Sequence, residues 1–528
     1  MTKTISAQDL RAKIVDGSEL ALLDVREEGV FVNSHLLFAR PMPLSQLEMR
    51  IFDSVPRKSV PVVLCDAGEG DAGEGLVDQA AEKLAGYGYT DVSVLEGGNQ
   101  GWADAGYVLF SGFNVPSKAF GEFVEHKNDT PNISAEELKA LIDGDEDFVV
   151  LDSRPYVEYH RMNIPTGVDV PGAELAYRVH DLAPSPDTLV VVNCAGRTRS
   201  IIGAQSLINA GIPNRVKALR NGTMGWELAG YECEHGSTHL APDVSDQGME
   251  RALVVAEHVA DRFGVKTIDM AQLNAWQADA NRSVYLLDVR HPEEYEAGHM
   301  PGSISAPGGQ LVQGTDLFIG TLGARVVLID DTGVRATMAA HWLVQMGWND
   351  VVVLKGGLDA DLETGVHVPN IPGLNEIKFD EISAVELDAS DSVVIDLATS
   401  AAYKKAHISG AWFANRMVLA DALKVLPDTS CLVLTSPDGV LAKLVVPEIK
   451  ALTDTPIKVL TGGTSAWQSS GLSVSDGEEN MATVAEDVVL KPYDHKKEIP
   501  AMMNEYLTWE LDLVRQIKED GTTDFREF

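Results

Sequence analysis

The chain has 528 residues, a length that suits three or four domains, with 42 Lys and Arg against 79 Asp and Glu, a formal charge of −37. That balance excludes a nucleic-acid binder, which must neutralise phosphates, and a polybasic membrane-surface protein. Hydrophobic residues at 45% suffice for several cores, and four cysteines make no disulfide framework but suit a reducing cytoplasm, the expected location. The sequence holds no apolar run long enough to span a bilayer, and its start, MTKTISAQDL, lacks the apolar stretch of a secretory signal.

Along the chain, one grammar repeats. An apolar strand ends in Asp at LLDVR (22–26), a second strand ends at Cys65 in VVLC, and a third runs into the turn GGNQGW (97–102). A linker follows over 114–132. The pattern returns as VLDSR (150–154), VVNC ending at Cys194, the helical stretch SIIGAQSLINAG (200–211) and NGTMGW (221–226). After a second linker at about 237–266 it appears as LLDVR (286–290), VLID ending at Asp330 and GGLDAD (356–361). The last copy reads VIDLA (394–398), LVLT ending at Thr435 and GGTSAW (462–467). Asp24, Asp152, Asp288 and Asp396 lie a whole domain apart, so these are duplicated domains and not a solenoid. An acidic segment opens at VSDGEEN (474–480), and IPAMMNEYLTWELDLVRQIKED (499–520) predicts a tail helix whose apolar stripe packs on the body.

Buried strands alternating with amphipathic helices predict an α/β fold. Each copy is expected to be a parallel sheet with helices on both faces, reached by right-handed crossovers. The expected units are 1–113, 130–236, 265–366 and 377–475, with a helical tail over 476–528. Reactive groups in such sheets sit at the carboxyl ends of the strands, which points to positions 65, 194, 330 and 435.

The second copy carries the only well-formed site. Cys194 is followed by Ala195, Gly196, Arg197, Thr198 and Arg199, and Ser200 opens the helix. A thiol in a tight loop at a helix N-terminus meets inward backbone N–H groups and the positive end of the dipole, which is expected to favour the thiolate. Two arginines add charge and can fork onto the oxygens of an anion. The alternative, a buried core cysteine, would leave the charge of both arginines to be buried with it.

With these residues the chain resembles the rhodanese (thiosulfate sulfurtransferase) family, as a tandem protein of four rhodanese-like domains. VLDSR, the CAGRTR loop and NGTMGW carry the resemblance in the second copy, and LLDVRHPEEYEAGHMPGSI (286–304) carries it in the third. The resemblance implies a sulfurtransferase in which Cys194 takes sulfane sulfur from a small anionic donor as a persulfide and passes it to a thiophilic acceptor such as cyanide or a thiol. Backbone amides of Ala195 to Ser200 would stabilise the sulfur anion, and Arg197 and Arg199 would bind the sulfonate end of thiosulfate. The basic loop favours thiosulfate over mercaptopyruvate. The C-x4-R spacing favours sulfur over the phosphate and arsenate that the wider C-x5-R loop takes.

Two departures concern the donor: GHIPG of the family reads MNIPTG (162–167), and Glu158 stands where several thiosulfate-using relatives have arginine. The other copies are expected to be inactive. In the first, Cys65 precedes the acidic DAGEGDAGEG (66–75); the third has Asp330, and the fourth has Thr435-Ser436. The recurring aspartates, with Arg26, Arg154 and Arg290, read as structural pairs, and Trp102, Trp226 and Trp467 as core. Cys233 and His235 make no zinc site, so neither a metal nor a cofactor is expected. A rhodanese-like interaction or redox-sensing protein and a C-x-R phosphatase or arsenate reductase are the alternatives. A protein sulfur acceptor, a relay through Cys65 and a homo-oligomer stay open.

Overall fold

The computed structural model describes residues 3–68, 75–359, 361–495 and 497–528. In the second repeat the strands are β1 (Asn132–Ile133), β2 (Phe148–Asp152), β3 (Val168–Asp169), β4 (Leu189–Asn193) and β5 (Val216–Leu219). They form one parallel sheet in the order β1-β5-β4-β2-β3. All five residues of β4 are buried. Its alternating side chains feed two cores, Val190 and Val192 on one face and Leu189 and Val191 on the other. This is the pattern of a strand covered on both faces. The other three repeats have five-stranded sheets of the same order, so all four copies share the expected α/β architecture.

Strand register moves two of the expected positions. Asp152 pairs with Asn193, and in the same place Asp24 pairs with Cys65, Asp288 with Ile329 and Asp396 with Thr435. The counterparts of Cys194 are therefore Asp66, Asp330 and Ser436. Cys65 and Thr435 stand one residue too early. Because side chains alternate along a strand, that one-residue offset turns Cys65 to the opposite face, into a core with Leu22, Val63 and Trp102.

Both linkers are largely helical: α1 (Val115–Asn128) follows the first repeat, and α3 (Asp246–Phe263) follows the second. Between them α2 (Thr198–Asn209) starts in the cysteine loop, and later α4 (Val334–Gln345) occupies its place in the third repeat. Phe120 and Val124 of α1 and Ile201 of α2 share one core with Leu311 and Trp342 of the third repeat. Trp342 also donates from its indole to Ser206 (2.8 Å). The tail forms α5 (Ile499–Asp520), with Met503, Leu507, Glu510, Leu513 and Ile517 as its buried stripe. No helix among the described residues is long and apolar enough to cross a membrane.

The repeated Asp-x-Arg is a clamp. Arg154 makes a two-pronged pair with Asp152 (2.8 and 2.7 Å) and donates to the Met162 carbonyl (2.6 Å). Arg26 and Arg290 repeat this with Asp24 and Asp288 and reach the Ser34 and Gly298 carbonyls. The clamp ties each strand end to the loop beyond the next helix.

Candidate active site

Cys194 leaves β4 into a loop that is pinned from outside. The Cys194 carbonyl accepts from the Thr223 N–H (2.9 Å) and that of Ala195 from the Met224 N–H (3.0 Å), both on the NGTMGW turn. Gly222 has φ 54° there, and a Cβ on it would sit 2.2 Å from the Cys194 carbonyl oxygen, so only glycine permits this approach. With its carbonyls held outside, the loop's N–H groups are left for its interior. The Ser200 hydroxyl donates to the Arg197 carbonyl (2.8 Å) and closes the loop onto the first turn of α2.

The two arginines part company. Arg197 turns outward to α1, donating to Glu122 (2.7 and 2.8 Å) and to Glu125. Its charge is neutralised there, so it anchors α1 to the loop. Arg199 stays near the thiol and pairs with Glu158 (2.8 and 3.3 Å). Glu158, expected as a lost cation, also accepts from Lys491 (3.0 Å) of the tail segment. Arg199 and Lys491 hold its carboxyl well below the usual range, against the effect of burial. Thr198 and Arg199 border a crevice between the second and third repeats of about 30 Å³, room for a single water.

Helix α5 covers the loop, a feature the sequence reading missed. A Cβ on Gly196 would lie 3.3 Å from Glu510 Oε2 and 3.4 Å from the Tyr506 ring. Leu507 packs with Met224 and Met503. Glu510 is buried, accepts from the Tyr506 hydroxyl (3.1 Å) and Thr198 (3.4 Å), and leaves Oε2 unpartnered. Beside it Lys118 of α1 lies buried with its ammonium 3.7 Å from the Phe113 ring centre and 4.7 Å from that of Trp509. Burial raises Glu510 and lowers Lys118, each partly offset by the other's charge.

This cover corrects the expectation of a resting thiolate. Cys194 is 2% exposed. Burial raises its pKa, with the Glu510 charge adding to the rise, while Arg199 and the hydroxyl and N–H of Ser200 pull it down. Desolvation wins in this covered state.

The other three loops differ in chemistry. Asp330 folds its carboxylate into its own loop, accepting from the N–H groups of Gly333 (2.7 Å), Arg335 (2.9 Å) and Ala336 (3.3 Å). Arg335, the counterpart of Arg199, bridges Glu174 of the second repeat (2.9 Å) and Glu294 (2.6 Å). The third loop has thus become an interdomain lock. Ser436 accepts from the Ala442 N–H (3.3 Å), the same six-residue step that links Cys194 to Ser200. In the first repeat, Asp66 accepts from the Gly68 N–H (3.0 Å), and residues 69–74 of the acidic loop lie outside the described residues. Burial and the Asp24 charge push the Cys65 thiol well up.

Comparison with known families takes in three of the four repeats. The rhodanese-like domain family matches residues 6–105, 134–229 and 269–363. The fourth repeat lies outside those matches and is linked to them by its sheet order. A crystal structure of thiosulfate sulfurtransferase from Pseudomonas aeruginosa is 48% identical, covers 99% of each chain and superposes with a TM-score of 0.94. "Probable adenylyltransferase/sulfurtransferase MoeZ" of Mycobacterium tuberculosis is 33% identical over 107 residues, 20% of this chain and 27% of its own length. Thiosulfate sulfurtransferase GlpE of Pseudoalteromonas translucida is 29% identical over 77 residues, 15% of this chain and 71% of GlpE.

Proposed function

This chain belongs to the rhodanese-like family and is a sulfurtransferase, and on that premise we propose that its second repeat alone carries the reaction, through a persulfide on Cys194. The observation that supports this reading is register: of the four equivalent loop positions, only this one holds a thiol, the others holding Asp66, Asp330 and Ser436.

The Cys194 thiolate attacks the outer sulfur of thiosulfate. A new S–S bond forms, the donor's S–S bond breaks, and sulfite leaves with the electron pair. Inward N–H groups of Ala195 to Ser200 stabilise the resulting Cys194 persulfide anion. Cyanide or a thiolate then attacks the terminal sulfur, and the Cys194 thiolate is the leaving group. Arg199 draws the donor's sulfonate in, exchanging Glu158 for the new anion. Arg197, engaged by Glu122 and Glu125, acts by holding the loop against α1.

Entry requires α5 to move. Its covering residues bury Cys194 and raise its pKa; displacement restores water, lowers the pKa and opens the loop to donor and acceptor. Turnover of thiosulfate and cyanide by the wild type but not by Cys194→Ser tests the assignment. Equal turnover by the two would favour a rhodanese-like interaction protein, and hydrolysis of a phosphate ester in place of sulfur transfer would favour the phosphatase reading.

A further inference from the structure

The fourth repeat keeps the site's position while reversing its charge. At the carboxyl ends of its strands lies a cleft of about 310 Å³, closed on the far side by the first repeat and bordered by Ser436 and Asp438 of the degenerate loop. No cysteine or arginine stands in that loop, whose sequence from Ser436 to Val440 is SPDGV. Where the second repeat offers Arg199 to an anion, this loop offers Asp438.

Two further carboxylates line the cleft, each with one buried oxygen lacking a partner. Asp487, 8% exposed, accepts from the Ser400 N–H with Oδ2 (2.6 Å), while its Oδ1 has no hydrogen-bond partner. Glu27 reaches in from the first repeat, and its buried Oε1 has none either. Burial, with the Asp487 charge adding to it, pushes Glu27 up to about 7, although Ser45 and Asn415 oppose the rise. Two carboxylates left half-satisfied in one cavity are costly unless one takes up a proton or something cationic meets them.

Arg416, the one cation among the described residues lining the cleft, does not. Arg416 is committed to Glu48 (2.9 and 3.0 Å) and to Glu448 (3.0 Å), so its charge is balanced outside the cleft. The remaining walls include Met49, Leu397, Phe413 and Leu441. Apolar walls suit an alkyl stem and offer nothing to a hydrated metal ion. No group of three metal-ligating side chains occurs among the described residues.

We propose that this cleft binds a small organic ammonium ion, with the ammonium held by the carboxylates of Asp438, Asp487 and Glu27 and the alkyl stem against Met49, Phe413 and Leu441. The fourth repeat is then a binding module, built on the family's site position but selecting cations where the second repeat selects anions. This goes beyond sulfur transfer and stands or falls independently of it.

Calorimetric titration of the full-length protein with putrescine tests the proposal, with 1,4-butanediol as its neutral isostere and magnesium chloride as the bare-cation control. Putrescine is expected to bind one to one, about tenfold or more weaker in Asp487→Asn and in Glu27→Gln, as loss of a charge-assisted hydrogen bond requires. Butanediol and magnesium are expected not to bind. Glu27→Gln decides the matter should Asp487→Asn fail to fold, because it keeps the side chain's shape. No saturable putrescine binding, equal binding by both variants, or carboxylate-dependent binding of magnesium or butanediol would overturn the proposal.

Discussion

Leu507→Ala separates the cover from the chemistry. Leu507 is 6% exposed and packs with Met224 and Met503 on the outer side of the cysteine loop, its Cδ2 lying 3.9 Å from where a Gly196 Cβ would stand. Truncating a buried leucine costs about 2–5 kcal/mol, and a site beside a mobile cover relaxes toward the lower end. If about 2–3 kcal/mol of that falls on the closed form of α5, the open population rises roughly 30- to 150-fold, at about 1.4 kcal/mol per factor of ten. Iodoacetamide labelling read by peptide mass spectrometry measures this, with Cys65, fully buried in the first repeat, as the reporter of global unfolding. Cys194 is expected to label faster by that factor while Cys65 does not change. A Cys194 rate close to wild type, or equal acceleration of both cysteines, would refute the idea that α5 opens on its own.

Three other substitutions probe the charges around the site and the folds that surround it. Glu510→Gln removes a carboxylate that raises the Cys194 thiol, so the pH dependence of iodoacetamide labelling should move to lower pH; an unchanged or upward shift counts against the assignment. Glu158→Gln releases Arg199 and Lys491 toward the donor, and the KM for thiosulfate should fall roughly three- to tenfold, about 1 kcal/mol for partly exposed pairs. A KM that stays or rises would show that Arg199 does not meet the donor. Asp396 has lost the arginine of its clamp, and burial lifts it from 3.8 to about 6. Its folded pKa exceeds its unfolded one, so the wild type loses stability as pH rises from 3.8 to about 6 and stays lower above. Asp396→Asn lacks that loss, and at about pH 8 it should be more stable by up to ~3 kcal/mol in chemical denaturation, with no such gain near pH 4.

The repeats, the parallel sheets and the tail helix were legible because each rests on local patterning. The apolar run of β4, the Asp-x-Arg pairs and the stripe of 499–520 each carry their period in adjacent residues. What escaped was set by distant segments. A one-residue register difference decided that Cys65 faces a core, and strand pairing, not the strand's own sequence, sets register. The charge of Arg197 was read from its loop, yet its partners come from a linker 72 and 75 residues away. The thiol's environment depends on Glu510 and Leu507, which lie more than half the chain away in sequence. The loop was readable as a site; its resting state was not.

Mass spectrometry of the intact protein after incubation with thiosulfate decides whether Cys194 carries the sulfur. A gain of ~32 Da, one sulfur atom, is expected on the peptide carrying Cys194, removed by cyanide and absent from Cys194→Ser. No such adduct on the wild type, or the same adduct on Cys194→Ser, would contradict it.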